Sequence, residues 1–175
     1  MIFEPSVIED VILIKPRLYK DERGFFTETY RESLFQEAGI TANFVQDNLS
    51  SSKKNTLRGL HYQIINPQAK LVMVTRGEIL DVAVDIRNGS PTYGQYVTQL
   101  LSGENKFMLY IPEGFAHGFF VLSDSATFLY KCSDYYNPDG ERGIRWNDPD
   151  ININWPQAEP VLSDKDKNLP MLKEL

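Results

Sequence analysis

A chain of 175 residues, 42% hydrophobic and 24% charged, has the makeup of one globular domain spanning 1–175, long enough to bury about 70% of its unfolded surface. Its formal net charge of -6 and pI near 5.0 argue against nucleic acid or an anionic membrane as the main partner, since both call for a basic face. The lone cysteine, Cys132, cannot close an internal disulfide. No apolar run approaches the ~20 residues of a membrane span, and Met1-Ile2-Phe3-Glu4-Pro5 has neither the basic nor the apolar region of a secretory signal, so a cytoplasmic location is expected.

In chain order the segments read mostly as strands. Residues 7–14 are rich in β-branched side chains and end at Pro16, which predicts a strand, at a sheet edge. Asp21-Glu22-Arg23-Gly24 is a turn leading into a strand over Phe25-Phe26-Thr27-Glu28-Thr29-Tyr30. Residues 31–38 are the best helix candidate, with Leu34, Phe35 and Ala38 at helical spacing and Gly39 as a stop. Phe44 to Leu49 predicts a strand, Ser50 to Asn55 a polar loop, and Lys70 to Val74 another strand after the break at Pro67. Leu80, Val82, Val84 and Ile86 alternate with Asp81, Ala83 and Asp85, the period-two pattern of a strand with one buried face. Further strands are expected over 94–101, 107–111, 118–122 and 127–134, separated by turns at Asn88-Gly89-Ser90-Pro91 and Ser123-Asp124-Ser125. After Trp155-Pro156 the chain reads as loosely structured, with a short helix over 163–168. Many short strands and little helix predict an all-β sandwich or barrel.

Leu57-Arg58-Gly59-Leu60-His61-Tyr62-Gln63 holds one of only two histidines, so a proton-transfer group and an anion-binding arginine share one segment. Pro112-Glu113-Gly114-Phe115-Ala116-His117 has the Pro-x-Gly-x-x-His spacing of the second cupin motif, in which a tight turn delivers a histidine into the mouth of a jelly roll. A metal-binding cupin also needs His-x-His in its first motif. Here that place reads His61-Tyr62-Gln63, with no third histidine in the chain, so no metal is expected and the histidines point to acid–base work. Alternation in Phe128-Leu129-Tyr130-Lys131-Cys132 sets Tyr130 on the apolar face, either as a packing residue or as a phenol facing His61 across a pocket. A histidine and a tyrosine so opposed suit removal of a proton from one face of a substrate and delivery to the other.

Asp21-Glu22-Arg23-Gly24-Phe25-Phe26-Thr27-Glu28, Gln46-Asp47-Asn48, the His61 segment, residues 111–119, 130–136 and Glu141-Arg142-Gly143-Ile144-Arg145-Trp146 stand in an order that resembles the dTDP-4-dehydrorhamnose 3,5-epimerase family, from about residue 3 to 170. The resemblance implies a cupin jelly roll, a homodimer exchanging N-terminal strands, and no metal or organic cofactor. The implied reaction takes dTDP-4-dehydro-6-deoxy-D-glucose to dTDP-4-dehydro-L-rhamnose by inversion at C3 and C5. His61 matches the family's base, Asp166 the carboxylate orienting it, Tyr130 the acid, and Lys70 the cation near the C4 oxygen. Arg23, Glu28, Gln46, Asp47, Asn48, Arg58, His117, Glu141 and Lys165 match substrate-binding positions. Two other readings remain at this stage: a mono-epimerase acting at C3 or C5 of a related dTDP-4-keto-6-deoxy sugar, and a cupin that binds a nucleotide sugar without turnover.

Overall fold

The inward and outward alternation of the strands produces three stacked apolar layers, and the middle one contains the candidate site. The computed structural model describes residues 1–175. Its strands are β1 (Ile2–Pro5), β2 (Ile12–Lys15), β3 (Leu18–Asp21), β4 (Gly24–Thr27), β5 (Gln46–Lys53), β6 (Leu57–Gln63), β7 (Lys70–Arg76), β8 (Glu78–Asp85), β9 (Tyr96–Ser102), β10 (Met108–Ile111), β11 (Phe115–Val121), β12 (Ser125–Cys132) and β13 (Glu141–Gly143). Two short helices, α1 (Glu32–Glu37) and α2 (Asp164–Lys167), and a terminal 3₁₀ turn complete the chain. A six-stranded sheet in the order β1-β2-β10-β7-β12-β5 faces a five-stranded sheet in the order β13-β6-β11-β8-β9, all pairs antiparallel. This is the all-β sandwich expected from the strand pattern and the jelly roll that the resemblance implies, with the β3–β4 hairpin standing apart as a two-stranded sheet.

Between the sheets lies the largest core, built from inward positions such as Val72, Val74, Ile79, Ala83, Phe119 and Phe128. The outer face of the six-stranded sheet is covered by the N-terminal segment and α1, through Ile14, Phe35, Ile40, Leu71 and Met108. The outer face of the five-stranded sheet is covered by the C-terminal segment, through Ile144, Ile151, Ile153 and Leu172. The tail is therefore packed rather than loose: Leu169 and Leu172 are buried, Val161 bridges to Thr56, and the Leu172 amide donates to the buried Asp148 carboxylate at 2.7 Å. The expected short helix is present as α2, capped by the Ser163 hydroxyl, which accepts from the Asp166 amide.

Three local expectations need correction. Of the strand expected over 7–14 only 12–14 are extended, as part of Ile12–Lys15, because the Ser6 amide bonds the Val11 carbonyl and folds residues 6–11 into a turn. That strand is not at an edge in this chain, since β1 and β10 flank it. Ser50 to Lys53 is not loop but the second half of β5, paired with Ser125–Phe128 of β12. Most consequential is β8, in which both faces are buried: Val82 and Val84 meet the C-terminal layer while Asp81 and Ala83 face the inter-sheet core. The carboxylates that looked solvent-facing are interior groups.

Asp85, at the end of β8, is fully buried and accepts from the Arg87 guanidinium, the Ser90 and Thr92 hydroxyls and the Arg87 amide. Burial opposes its ionisation, but these donors outweigh it and hold the carboxyl well below the usual carboxylate range. A depressed folded-state pKa stabilises the fold above the unfolded value of about 3.9, and that stability is lost as pH falls through and below it. Asp85→Asn is expected to cost about 3 kcal/mol at pH 7 and clearly less at pH 3. Urea midpoints at the two pH values check this, and an equal loss at both would contradict it.

Candidate functional site

The cleft opens at one end of the sandwich, and strand alternation decides which side chains reach it. Of β5, Gln46 and Asn48 point inward, as do Lys70 of β7 and Tyr130 and Cys132 of β12. The opposite sheet contributes His61, Tyr62 and Gln63 of β6 and Glu141 of β13. An adjoining part of the cleft, which shares His61, Lys70 and Tyr130, is walled by Ser50, Arg58, His117 and Phe128. His61 and Tyr130 thus reach one space from opposing sheets.

Arg58 and His61 are three residues apart, a spacing that would put them on opposite faces of a regular strand. They share a face because β6 bulges: His61 pairs with His117 and Arg58 with Phe119, so three steps on β6 oppose two on β11. Gly59 lies in the bulge at φ 116°, and a Cβ there would meet the Gly118 Cα at 2.7 Å, so only glycine fits. The Arg58 Nε donates to the buried Ser52 hydroxyl at 3.0 Å, which fixes the guanidinium stem.

His61 Nε2 lies 2.6 Å from Asp166 Oδ1. Burial opposes ionisation of Asp166, but the His61 hydrogen bond and charge, the Ser163 hydroxyl and the Gly59 amide together hold it below its ordinary value. A carboxylate hydrogen-bonded to an imidazole orients the ring. His117 makes a second such pair: its Nε2 sits 2.9 Å from the buried Asp81 carboxylate, and its ring stacks against Phe128. Each of the two histidines has a carboxylate partner, and no three His, Cys, Asp or Glu side chains converge in a metal-binding group.

Tyr130 is pushed above the usual phenol value, chiefly by burial, so its hydroxyl keeps its proton at neutral pH. Lys70 is lowered by burial, a shift resisted by the nearby Asp81 and Glu141. Its ammonium has no ion-pair partner in the protein. Glu141 accepts from the Tyr136 hydroxyl at 2.7 Å and pairs with Lys165; these contacts and the nearby His61 overcome burial and lower its pKa. The α2 helix thereby delivers adjacent residues, Lys165 and Asp166, to two different partners in the cleft.

Among the residues expected at the site, His61, Tyr130, Lys70, Gln46, Asn48, Arg58, His117 and Glu141 line the cleft, and Asp166 and Lys165 contact its wall. Asp47 does not: it faces outward from β5 and pairs with Lys131. Arg23, 85% exposed, pairs with Asp21 at the tip of the hairpin, and Glu28 pairs with Arg31 beyond it; neither lines the cleft of this chain. Sequence reasoning passed over Asp81, Gln63, Gln68 and Tyr136. A carboxylate amid the apolar residues of β8 was the available signal for Asp81, whereas Tyr136 sits in an irregular segment with no periodicity to reveal it.

The sequence pattern of the dTDP-4-dehydrorhamnose 3,5-epimerase family matches residues 5–174. A dTDP-4-dehydrorhamnose 3,5-epimerase of Pseudomonas aeruginosa is 57% identical over 162 residues, covering 91% of this chain and 90% of its own. The crystal structure of dTDP-6-deoxy-D-glucose-3,5-epimerase from Legionella pneumophila, in complex with dTDP-4-keto-L-rhamnose, superposes with a TM-score of 0.96 at 53% identity, covering 98% of this chain and 92% of that one. A dTDP-4-dehydrorhamnose 3-epimerase of Streptomyces niveus stands further off, at 40% identity over 99% of this chain and 85% of its own.

Proposed function

The chain belongs to the dTDP-4-dehydrorhamnose 3,5-epimerase family, and from that premise we propose that it inverts C3 and C5 of dTDP-4-dehydro-6-deoxy-D-glucose to give dTDP-4-dehydro-L-rhamnose. The observation that carries the reading is the approach of His61 and Tyr130 to one cleft from opposing sheets. The C4 ketone acidifies the C–H bonds on both sides of it, so loss of either proton gives an enolate. His61, backed by Asp166, takes the proton. The electron pair moves onto the C4 oxygen, where the Lys70 ammonium offsets the developing charge. Tyr130 then donates its proton to the carbon from the opposite face, which inverts the centre. Before the second inversion His61 passes its proton to solvent and the Tyr130 phenolate takes one back, and the same sequence at the other flanking carbon then completes the reaction.

Arg58 and Lys165 supply cationic donors for the diphosphate within a protein of net charge -6. Greater identity to the double epimerases than to the 3-epimerase favours inversion at both carbons. The functional unit in this reading is a homodimer. The detached β3–β4 hairpin, with Tyr19, Phe25 and Phe26 more than half exposed, suits exchange onto a second copy. There Arg23 and Glu28 would enter the partner's cleft.

The test is incubation with dTDP-4-dehydro-6-deoxy-D-glucose in D₂O, with NMR of the sugar and sedimentation of the same sample. Deuterium at C3 and C5 with both centres inverted, in a species of two chains' mass, is expected. Label at a single carbon would make the protein a mono-epimerase, and no label would remove the epimerase reading. A species of one chain's mass would remove the dimer.

A further inference from the structure

At the mouth of the cleft Ile64, Ile65, Tyr135 and Tyr136 are all about half exposed or more, so little apolar burial secures the two segments that bear them. Polar bonds hold these segments instead, and they converge on one side chain. Gln63, the last residue of β6, donates from Nε2 to the Asn66 carbonyl at 2.7 Å, the Tyr135 carbonyl at 3.3 Å and the Ile65 carbonyl at 3.4 Å. Its Oε1 accepts from the Asn137 amide at 2.8 Å. A single amide thus ties the turn at Asn66 to the segment on both sides of Tyr136. The Tyr136 amide in turn donates to Gln46 Oε1 at 2.9 Å, and the Tyr136 hydroxyl to Glu141, whose Cα pairs with that of Gln63. No spare room is left between the segments, since a Cβ at Gly140 would meet Ile65 atoms at 2.7 to 2.8 Å.

We propose that Gln63 is a positioning residue: it holds Tyr136, and through Tyr136 the Glu141 carboxylate, at the mouth, and so sets the affinity of the cleft for its nucleotide sugar. The inference rests on the epimerase reading above. The groups assigned to proton transfer stand on β6, β7, β12 and α2, and none of them bonds to Gln63. Its effect therefore falls on binding rather than on the chemical step.

Gln63→Met keeps the length of the side chain and removes all four contacts. In this variant KM for the dTDP-4-keto sugar and the calorimetric Kd for dTDP are expected to rise together by about tenfold, with kcat within about twofold of the parent. If Gln63 acts through Tyr136, then Gln63→Met made in a Tyr136→Ala background should raise KM by less than about twofold, because the two changes remove one arrangement. Should Gln63→Met fail to fold, Gln63→Glu, which keeps the acceptor for Asn137 and loses the three donations, replaces it in the same pair of backgrounds. An unchanged KM, a kcat that falls with the rise in KM, or strict additivity with Tyr136→Ala would each overturn the proposal while the parent's turnover stands. A parent that neither binds dTDP nor exchanges deuterium would overturn the epimerase reading, and this inference with it.

Discussion

Replacement of His61 by asparagine is expected to lower kcat by about 10³-fold, within the range for loss of a positioned general base, while the melting temperature stays within a few degrees of the parent. The ring is part of the cleft wall and not of any apolar core, so its removal opens no large cavity. Its main protein contact is the Asp166 carboxylate, which keeps its contacts with Ser163 and the Gly59 backbone when the ring is gone. Single-turnover kinetics with circular dichroism of the same preparation would decide the matter. A folded variant retaining a tenth of the parent rate would remove His61 as the base.

Tyr130→Phe separates proton removal from proton delivery. The variant keeps the ring that packs against Phe128 and loses only the hydroxyl, so the fold should be retained. With His61 and Lys70 in place the enolate still forms, and exchange of C–H for C–D in D₂O should continue. Net inversion should fall by about 10²-fold, because reprotonation from the far face has lost its donor. Exchange and inversion falling in equal measure would make the phenol a participant in proton removal. Inversion at the parent rate would take the acid role away from it.

The sequence was most informative where one physical rule acted alone. The short helix expected over 163–168 is present as α2, and the inward direction of Tyr130 follows from alternation in β12. The same alternation, applied to Gln46-Asp47-Asn48, forbids all three from facing one cleft, and Asp47 is the one that turns away. Asp81 was misread because β8 is covered on both sides, and a doubly buried strand carries no one-sided hydrophobic pattern. The shared face of Arg58 and His61 depends on a bulge that appears only when β6 is set against β11. Tyr136 and Gln63 act through loop hydrogen bonds between distant segments, for which a single sequence offers no periodic signal.

The groups assigned to proton transfer and those that form the mouth rest on different kinds of backbone. His61, Lys70 and Tyr130 project from long strands paired on both sides, where any shift in register would turn every neighbour to the wrong face. Tyr136 and the turn at Asn66 lie outside the sheets, tethered by side-chain amides. Substitutions in the tethers can alter what is admitted without moving the strands. Divergence among such enzymes toward differently decorated sugars then has a cheap route: the chemistry is inherited as a fixed frame, and the ligand is renegotiated at the rim.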